Sequence, residues 1–444
     1  MTNGLCDPAS RWSGFILCVR FYNRFMMAAR IVLFLLLLGS VSRVIAQQDD
    51  GVGEIPEPMP IVDTSDITHF LLLGSDTTNS ANSGRTDVIL IVSLNHTHGT
   101  VSMLSVPRDL YVYIPEWEQQ RINTAYAHGE MIEAGFGPDL LIETIHYNLG
   151  LEIDFYARVD FNDFRQIIDS VGGVDIAVDC AIEDWRLREP DLDPTDEDNW
   201  EMFTLPVGVH RMDGNLALWY ARSRRTSSDF DRGHRQQQLI RALWRELLKL
   251  GVYDQAVDIW PQAVELVETD ITLEDALTLI PFAVRLDTSQ FSTFTFKMDR
   301  EVKHWRAPDG ASVLIPQREA LVRLIRDYMA PPVASQAGKT MTSVQIVNAT
   351  GRTDLAQVAA ERLAWEGYNV SVDPDVSRIF KQYTSIVDHT GRVKGSDLEA
   401  LRAIFHVPAQ AIEVLPDPDR IADYEVILGA NYYACTRDVL PPAG

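Results

Sequence analysis

The sequence predicts an α/β fold: a large domain with a mixed sheet, followed by a second and smaller α/β domain. Two features of the chain lead to this prediction. From residue 67 onward, short segments rich in apolar and β-branched residues alternate with helical segments. After a run of proline and small residues, the same alternation starts again at residue 343. Alternation of this kind is typical of helices layered on a sheet.

The first domain is defined by four strand-like segments and four helical ones. We predict strands at 70–74, 88–94, 100–106 and 155–161, and helices at 138–148, 162–170, 214–224 and 233–250. A further strand-like segment, SVLIP, lies at 312–316. From residue 343 the pattern is strand, turn, helix and strand, and a later strand lies at 424–429.

These segments divide residues 1–432 of the 444-residue chain into six regions. The predicted regions are an N-terminal signal peptide or signal anchor at 1–46, a linker at 47–66, the main domain at 67–252, a helical and strand extension of it at 253–330, a linker at 331–342 and the second domain at 343–432. Within the main domain, 183–201 holds nine acidic residues and two prolines. We predict a solvated loop there. A calcium site is the alternative, although the spacing matches no calcium loop that we recognise.

The first 46 residues have the pattern of an export signal. Arg24 and Arg30 precede the apolar run IVLFLLLL, and small residues lie around Ala46. The run is well short of the ~20 residues that span a bilayer. Cleavage after Ala46 is therefore favoured over a permanent anchor. Either outcome predicts an extracytoplasmic protein, membrane-associated or secreted.

The chain is strongly acidic. Its formal net charge is −24, and loss of residues 1–46, which hold five arginines and one aspartate, brings the charge to −28. General nucleic-acid binding relies on a basic surface, so this charge excludes that function class. Outside the export segment the cysteines are Cys180 and Cys435. An oxidising compartment permits a bridge between them, but two cysteines do not establish one.

Five arginines nevertheless lie within fourteen positions of this acidic chain. They are Arg222, Arg224, Arg225, Arg232 and Arg235. We predict that Asp229 or Asp231 caps a helix whose first turn carries the last two of these arginines. Arginines in a first turn oppose the helix dipole, and a bound phosphate or pyrophosphate would reverse that conflict. The alternative is that the arginines are solvated or paired with acidic neighbours.

Two further charged clusters lie at predicted strand ends. Asp76 follows the first strand, and Arg85 and Asp87 open the next one. Two such aspartates can share one Mg²⁺, which keeps its other positions for water and phosphate oxygens. Alternatively, Asp76 caps a turn and Asp87 pairs with Arg85. Arg108 and Asp109 form the other cluster, either as a structural ion pair or as part of a site. Together the clusters predict a Mg²⁺-dependent site that grips a diphosphate.

Several motifs stand in the order typical of a known family. They are LLLGSD, SGRTDVILIVSLN, VSMLSVPRDLYVYIP, RINTAYAHG, VDFNDFRQIIDSVGGVDI, GVHRMDGNLALWYARSRR and SDFDRGHRQQQLI. Over residues 66–250 the chain resembles the LytR–CpsA–Psr family of cell-wall glycopolymer ligases, and 343–430 resemble the accessory C-terminal domain of many members. The resemblance implies a three-layer α/β/α sandwich with a mixed central sheet and an apolar tunnel for a lipid tail. Arg121 stands where we expect lysine in this family.

The resemblance also implies a reaction at a membrane surface: transfer of a glycopolymer from a polyprenyl-pyrophosphate carrier to peptidoglycan. Asp76 and Asp87 would bind Mg²⁺ as cofactor. The residues given a catalytic role are Asp76, Arg85, Asp87, Arg108, Arg222 and Arg232. Pyrophosphate binding would fall to the same arginines together with Arg224, Arg235 and, as a weaker candidate, Gln236. Asp109 and Asp229 would support the arginines.

Two other function classes stay open. A hydrolase would use the same site with water as the attacking group, and only groove shape and access would distinguish it. A non-catalytic envelope protein would bind the lipid-linked sugar or act as a regulator. The presence of Asp76, Asp87 and all the motif arginines favours an active site over that reading. Because the second domain carries no comparable cluster, we predict that it is a binding or positioning module.

Overall fold

The computed structural model describes residues 55–61, 66–75, 84–189, 192–286, 290–307, 310–330, 341–373 and 380–435. The predicted export segment and Asp76 lie outside these residues. Within them, no helix combines the length and the apolar character needed to cross a membrane. The elements below belong to one compact unit that begins at Glu57.

The helices and strands of the described residues are as follows. The first domain has strands β1 (Ile67–Ser75), β2 (Thr86–Asn95), β3 (Thr100–Ser105), β4 (Tyr111–Tyr113), β5 (Gln119–Arg121), β6 (Phe155–Asp160), β7 (Val174–Val178), β8 (Ile182–Leu187), β9 (Trp200–Leu205), β10 (Gly208–Met212), β11 (Glu268–Thr269), β12 (Phe291–Thr295), β13 (Val302–Arg306) and β14 (Ser312–Pro316). Its helices are α1 (Ala125–Ile132), α2 (Gly137–Leu149), α3 (Phe161–Ser170), α4 (Gly214–Arg222), α5 (Asp229–Lys249), α6 (Ala256–Leu266), α7 (Leu273–Ala283) and α8 (Arg318–Met329). The second domain has β15 (Ser343–Asn348), α9 (Leu355–Trp365), β16 (Asn369–Val372), β17 (Ser385–Asp388), α10 (Leu398–Ile404), β18 (Ile412–Val414) and β19 (Tyr424–Leu428).

A six-stranded mixed sheet forms the centre of the first domain. Its strand order is β11-β6-β1-β2-β3-β12. The strands β1, β2 and β3 are antiparallel neighbours, whereas β6 pairs with β1 and β12 pairs with β3 in parallel. The α/β class and the mixed sheet predicted from the sequence are therefore confirmed.

Helices cover both faces of this sheet. Side chains alternate between the faces with the period of two that a strand imposes. Leu71 and Leu73 of β1 pack with side chains of α1, α2 and α8 on one face. Leu72 and Leu90 lie on the other face, against α5 and α7. The fold is thus a three-layer α/β/α sandwich, as the family resemblance implied.

The region predicted as an extension, 253–330, is built into the central sheet. β12 forms one edge beside β3, and the two-residue strand β11 forms the other edge beside β6. Helix α8 adds Leu321 and Ile325 to the main core. Both edges of the sheet therefore depend on residues that follow the arginine-rich helix in the chain.

The two ends of the acidic segment 183–201 belong to the two strands of a β-hairpin. β8 and β9 pair in antiparallel fashion, so the predicted solvated loop at 183–201 is wrong for these two arms. Arg186 pairs with Glu201 across the hairpin at 2.8 Å, and its guanidinium lies 3.5 Å from the centre of the Phe203 ring. Cross-strand contacts of this kind stabilise strands whose acidic composition alone is typical of a loop.

The second domain has its own five-stranded sheet. The strand order is β16-β15-β19-β17-β18, with β17 antiparallel to β19 and the other pairs parallel. Its core contains Val344, Ile346 and Leu363, among others. Cys435, near the end of this domain, forms a disulfide with Cys180 of the first domain. The structure thereby answers a question that the sequence left open.

Candidate functional site

A small pocket lies where the start of β2, the end of β3 and the first turns of α5 meet. Its volume is about 30 Å³, room for roughly two water-sized groups and too little for a sugar ring. Apolar and small residues complete its wall, Phe230 and Thr295 among them. Six predicted site residues line it: Asp87, Arg108, Asp109, Asp229, Arg232 and Gln236.

A break in strand pairing distinguishes Asp87 from its neighbours. β1 and β2 pair Gly74 with Val88 but Ser75 with Thr86, so Asp87 is the extra residue of a β-bulge. A bulge redirects the side chain that it carries, and bulges are common next to functional sites. Because β2 and β3 are antiparallel, the first residues of β2 and the last residues of β3 lie at the same end of the sheet.

Arg108 and Asp109 follow β3 and join Asp87 in a chain of ion pairs. Nη1 of Arg108 lies 2.5 Å from Oδ1 of Asp87, and its Nε lies 3.6 Å from Oδ2 of Asp109. Asp109 also lies 3.3 Å from Nε of Arg121. Burial alone would lower the pKa of Arg108, but its hydrogen bond to Asp87 and the charges of Asp87, Asp109 and Asp229 outweigh burial and raise it. Arg108 is therefore a fixed cation of the pocket wall.

The first turns of α5 are fixed against the end of β3. Ser228 is the N-cap and forms a capping box with Asp231, so the prediction that Asp229 or Asp231 is the N-cap is wrong. A serine hydroxyl one position earlier already accepts the N–H of Asp231. Gly233 allows the close approach, because a Cβ there would come within 3.0 Å of the Ser105 Cβ.

Arg232 is a buried cation at the edge of this pocket. Its residue is 6% exposed, and its Nη1 lies 3.1 Å from Oδ1 of Asp229. Burial lowers the pKa of Arg232 to about 10; Asp229 and Asp87 oppose the shift, whereas Arg224 and Arg108 add to it. The group stays protonated at neutral pH, but its charge is poorly solvated. It also lies where the helix dipole is positive. An anion in the pocket would relieve both penalties.

Family membership follows from the sequence of the whole first domain. The model of the LytR_cpsA_psr family matches residues 44–327, more than half of the chain. The chain belongs to the LytR–CpsA–Psr family. A second family model, described as LytR cell envelope-related transcriptional attenuator, matches residues 341–432. Both resemblances stated from the motifs are confirmed.

Relatives with curated names include a transferase and a regulator. The chain is 29% identical over 251 residues to the polyisoprenyl-teichoic acid–peptidoglycan teichoic acid transferase TagT of Bacillus subtilis, covering 54% of this chain and 71% of TagT. It is 36% identical over 182 residues to the regulatory protein MsrR of Staphylococcus aureus, covering 40% of this chain and 49% of MsrR. The crystal structure of B. subtilis TagV aligns with a TM-score of 0.47 at 24% identity, covering 61% of this chain and 100% of that one. The chain thus spans 71% of TagT but only about half of MsrR.

Three predicted arginines of this LytR–CpsA–Psr protein lie outside the pocket wall but on nearby segments. Arg85 is exposed directly before β2. Arg222 is exposed in the last turn of α4, and its guanidinium lies 4.3 Å from the centre of the Phe161 ring. Nε of Arg224 lies 3.9 Å from Oδ1 of Asp229, the carboxylate that also pairs with the buried arginine of α5. Arg224 and Arg232 therefore share the carboxylate of Asp229.

Arg235 is not brought to the pocket. It is fully buried, and its guanidinium donates to the carbonyl oxygens of Tyr220 and Ser223 and to Oγ of Ser227. Because α5 begins at Asp229, Arg235 lies in the second turn of the helix and not in the first, where we predicted it. These contacts join the segment between α4 and α5 to helix α5. Arg235 therefore stabilises the backbone next to the pocket and does not line the pocket itself.

Asp87 is suited to holding the Mg²⁺ that the family resemblance implies. Its carboxylate is 27% exposed at the pocket wall, and Mg²⁺ takes one or two carboxylates while keeping water and phosphate oxygens. Asp76, the predicted second ligand, follows Ser75 in the chain and lies outside the described residues. Among the residues that the structure does describe, no group of three or more His, Cys, Asp or Glu is arranged to hold a metal ion.

Sequence reasoning missed the residues that connect the pocket walls. Nε2 of Gln237 donates to Oγ of Ser105 at 2.9 Å and to the carbonyl oxygen of Phe294 at 3.1 Å, linking α5 to β3 and β12. Gln237 lies in the motif SDFDRGHRQQQLI, but the motif does not distinguish it from the glutamines on either side. Gly233 did carry a signal, because glycine is unfavourable inside a helix unless something must approach closely.

Proposed function

We propose that this protein is an extracytoplasmic phosphotransferase that moves a glycopolymer from a polyprenyl-pyrophosphate carrier onto peptidoglycan. The observation that carries the proposal is Arg232, a buried and poorly solvated cation beside a small pocket that Asp87 and Arg108 also line. The name of TagT, a relative that moves teichoic acid from a polyisoprenyl carrier to peptidoglycan, supports the substrate class. The predicted export segment supports the location.

The pyrophosphate would bind between the two arginines of the pocket wall. Arginine presents planar N–H pairs that match two oxygens of one phosphate, and each such charge-assisted bond is stronger than a neutral one. Arg108 is held in place by Asp87 and Asp109, and Arg232 by Asp229 and the helix. Neither arginine therefore has to be ordered when the substrate binds, which favours affinity.

The reaction would be a displacement at the phosphorus that bears the sugar. A hydroxyl oxygen of the wall polymer forms a bond to that phosphorus, and the bond from phosphorus to the bridging oxygen breaks. Polyprenyl phosphate leaves, and the proton of the hydroxyl passes to solvent. Arg108 and Arg232 neutralise the charge that grows on the phosphate oxygens. Mg²⁺, held by Asp87 and Asp76, would supply further positive charge at those oxygens when bound.

A transfer assay tests this proposal. The full chain would be incubated with undecaprenyl-pyrophosphate-linked, radiolabelled saccharide, Mg²⁺ and isolated peptidoglycan sacculi, and the label would be followed. We expect label bound to sacculi through a phosphodiester with the wild type, and label that accumulates at least about 30-fold more slowly with Arg232→Ala. Arg402→Ala is the matched control, because Arg402 forms an exposed ion pair in the second domain.

The products separate this proposal from the other two function classes. Release of free sugar phosphate without labelled sacculi would replace the transferase with a hydrolase. Tight binding of the lipid-linked saccharide with no turnover would favour a regulatory protein, the class named for MsrR. Either result would contradict the proposal.

A further inference from the structure

The second domain is held firmly against the first. Besides the disulfide, Nη2 of Arg352 donates to the carbonyl oxygen of Val207 at 2.8 Å, and Arg245 of α5 pairs with Glu361 of α9. Buried apolar residues of both domains form one small cluster, which includes Ala177 of β7 and Val358 of α9. These contacts fix the position of helix α9 relative to α5. A space between the two helices is therefore part of the folded structure.

A cavity of about 300 Å³ lies between these two helices. Its volume is at the lower end of the ~300–1,000 Å³ typical of small-ligand sites. α5 contributes one wall, with His234, Gln238 and Arg241, and the last turn of α9 contributes the other, with Arg362 and Trp365. The cavity is about ten times as large as the pocket lined by Asp87, Arg108 and Arg232, which we call the phosphate pocket.

The cavity and the phosphate pocket share a wall. Phe230 and Thr295 line both of them. On α5, Arg232 and Gln236 face the phosphate pocket, whereas neighbouring positions such as His234 face the cavity. Successive residues of a helix point about 100° apart, so one helix can present different side chains to two adjoining spaces. A group attached to a phosphate in the pocket would thus have the cavity within reach.

The chemistry of the cavity differs from that of the phosphate pocket. Arginines and carboxylates line it in nearly equal number: Arg241, Arg245 and Arg362 against Asp179, Asp231, Glu361 and Glu366. The Trp365 ring lies 4.0 Å from the centre of the His234 ring, and Arg241 lies 4.8 Å from the indole centre. Both groups pack against the indole, so Trp365 presents only part of its ring to the cavity, beside balanced donors and acceptors. This combination suits a ligand that is apolar on one side and rich in hydroxyls, which describes a sugar ring and not a bare anion.

We infer that the second domain completes a saccharide-binding site next to the phosphate pocket, with Trp365 as the surface on which a sugar ring lies. The inference deepens the proposed function and rests on it for the neighbouring phosphate. The sugar has two possible sources, the glycan joined to the carrier pyrophosphate and the peptidoglycan acceptor. The same chemistry serves either one, and the experiment below separates them.

Equilibrium binding to the full chain tests the inference with three probes. They are undecaprenyl pyrophosphate, undecaprenyl-pyrophosphoryl-N-acetylglucosamine and a disaccharide-peptide from digested peptidoglycan. We expect Trp365→Ala to weaken at least one sugar-bearing probe tenfold or more while the affinity for undecaprenyl pyrophosphate changes less than twofold. Loss on the second probe alone assigns the site to the donor sugar, and loss on the third assigns it to the acceptor. Tyr383→Ala is the matched control, since Tyr383 is 70% exposed and lies outside the cavity wall.

Folding is checked by two features of the same samples. Retained binding of undecaprenyl pyrophosphate reports an intact first domain, and an intact Cys180–Cys435 bond reports a correctly placed second one. Gln238→Ala, which removes an amide from the other wall, provides a second variant and should weaken the same probe several-fold.

Failure of the inference and failure of the proposed function give different results. Unchanged affinity of both sugar-bearing probes in Trp365→Ala, or no added affinity from sugar in the wild type, would overturn the saccharide site. Binding of sugar that depends on Trp365, with undecaprenyl pyrophosphate binding that ignores Arg232→Ala, would support the saccharide site and overturn the phosphate assignment.

Discussion

Two arginine–carboxylate pairs, one from each domain, differ in how much water reaches the arginine. Arg232 of the first domain is 6% exposed, and burial lowers its pKa. In the second domain the side chains of Arg402 and Glu399 pair at 2.8 Å while 37% and 77% exposed. An exposed pair on a helix surface stabilises little and calls for no ligand. A buried arginine beside an open pocket retains a need for negative charge, and this difference is the reason we propose phosphate chemistry for the first domain.

The largest effect is expected from Asp87→Asn. The amide has nearly the same shape but no charge, so it would leave Arg108 without its strongest partner and would be a poor ligand for Mg²⁺. We expect transfer at background level and no further response to Mg²⁺ or to a chelator, measured in the sacculus assay. Glu399→Gln in the second domain is the control and should keep full activity. Substantial transfer by Asp87→Asn would contradict the assignment.

Arg232→Ala should have the next largest effect. Loss of one preorganised charged donor removes about 2–4 kcal/mol of transition-state stabilisation, a fall of about 30- to 1000-fold in transfer rate. Arg232→Lys keeps the charge without the planar fork and should lie between the alanine variant and the wild type. Initial rates at fixed donor concentration measure both. Equal losses of transfer rate in Arg232→Ala and Arg402→Ala would contradict the assignment of the site to the first domain.

The disulfide joins the two regions, and its removal should be felt in stability. It links residues 255 apart in sequence, and native disulfides contribute about 2–5 kcal/mol. We expect Cys180→Ser/Cys435→Ser to lose stability in this range in urea unfolding. A reducing agent should lower the stability of the wild type and leave that of the double variant unchanged. A wild type insensitive to reduction would show that the bond does not connect the domains in solution.

A buried histidine should make the stability of the first domain fall in mild acid. Burial lowers the pKa of His69 to about 4, with the charge of Asp154 opposing the shift. The folded chain holds this ring neutral, whereas the unfolded chain takes up a proton below pH ~6.5. Stability should therefore fall as pH drops from about 6.5 to about 4, by up to about 3 kcal/mol. His69→Gln should flatten this part of the curve, whereas exchange of the exposed His98 should not.

The smallest effect concerns an acid of the second domain. Burial raises the pKa of Asp423, but its hydrogen bond and ion pair with Arg420 and its bonds from Ser343 outweigh burial and lower it. Stability from this group is present at neutral pH and is lost only as pH falls below the ordinary range for aspartate. We expect Asp423→Asn to lower the free energy of unfolding by less than about 1 kcal/mol at pH 7, and we expect this difference from the wild type to disappear as the pH falls to 2. A loss that starts near pH 6 would not fit this carboxylate.

Much of the fold was predictable because its signals are local. Apolar alternation in β1, β2 and β3 identifies the central strands, and ordered motifs identify the family. The edge strand β11 has two residues, too few for a pattern, and its place depends on pairing with β6. The acidic hairpin has the composition of a loop, and its strand pairing rests on cross-strand contacts such as that between Arg186 and Glu201, which no single segment predicts.

The candidate site was predictable in its residue types but less so in its geometry. Six of the predicted residues line one pocket, because they lie at the ends of neighbouring strands and in the first turns of a helix, and these meet at one end of the sheet. Arg235 does not line the pocket as predicted. Its guanidinium binds the backbone of Tyr220 and Ser223, and this contact depends on how α4 and α5 pack. The bulge that carries Asp87 and the cavity beside Trp365 depend on pairing and domain contact, which no single segment encodes.

The pyrophosphate site is tested most directly by mass spectrometry of lipid that co-purifies with the full chain from bacteria, wild type beside Arg108→Ala/Arg232→Ala. We predict polyprenyl phosphate or pyrophosphate on the wild type and none on the double variant, with both proteins folded. A folded wild type that carries no such lipid, even after incubation with undecaprenyl pyrophosphate and Mg²⁺, would contradict the assignment of the two arginines. Equal amounts of lipid on both proteins would contradict it as well.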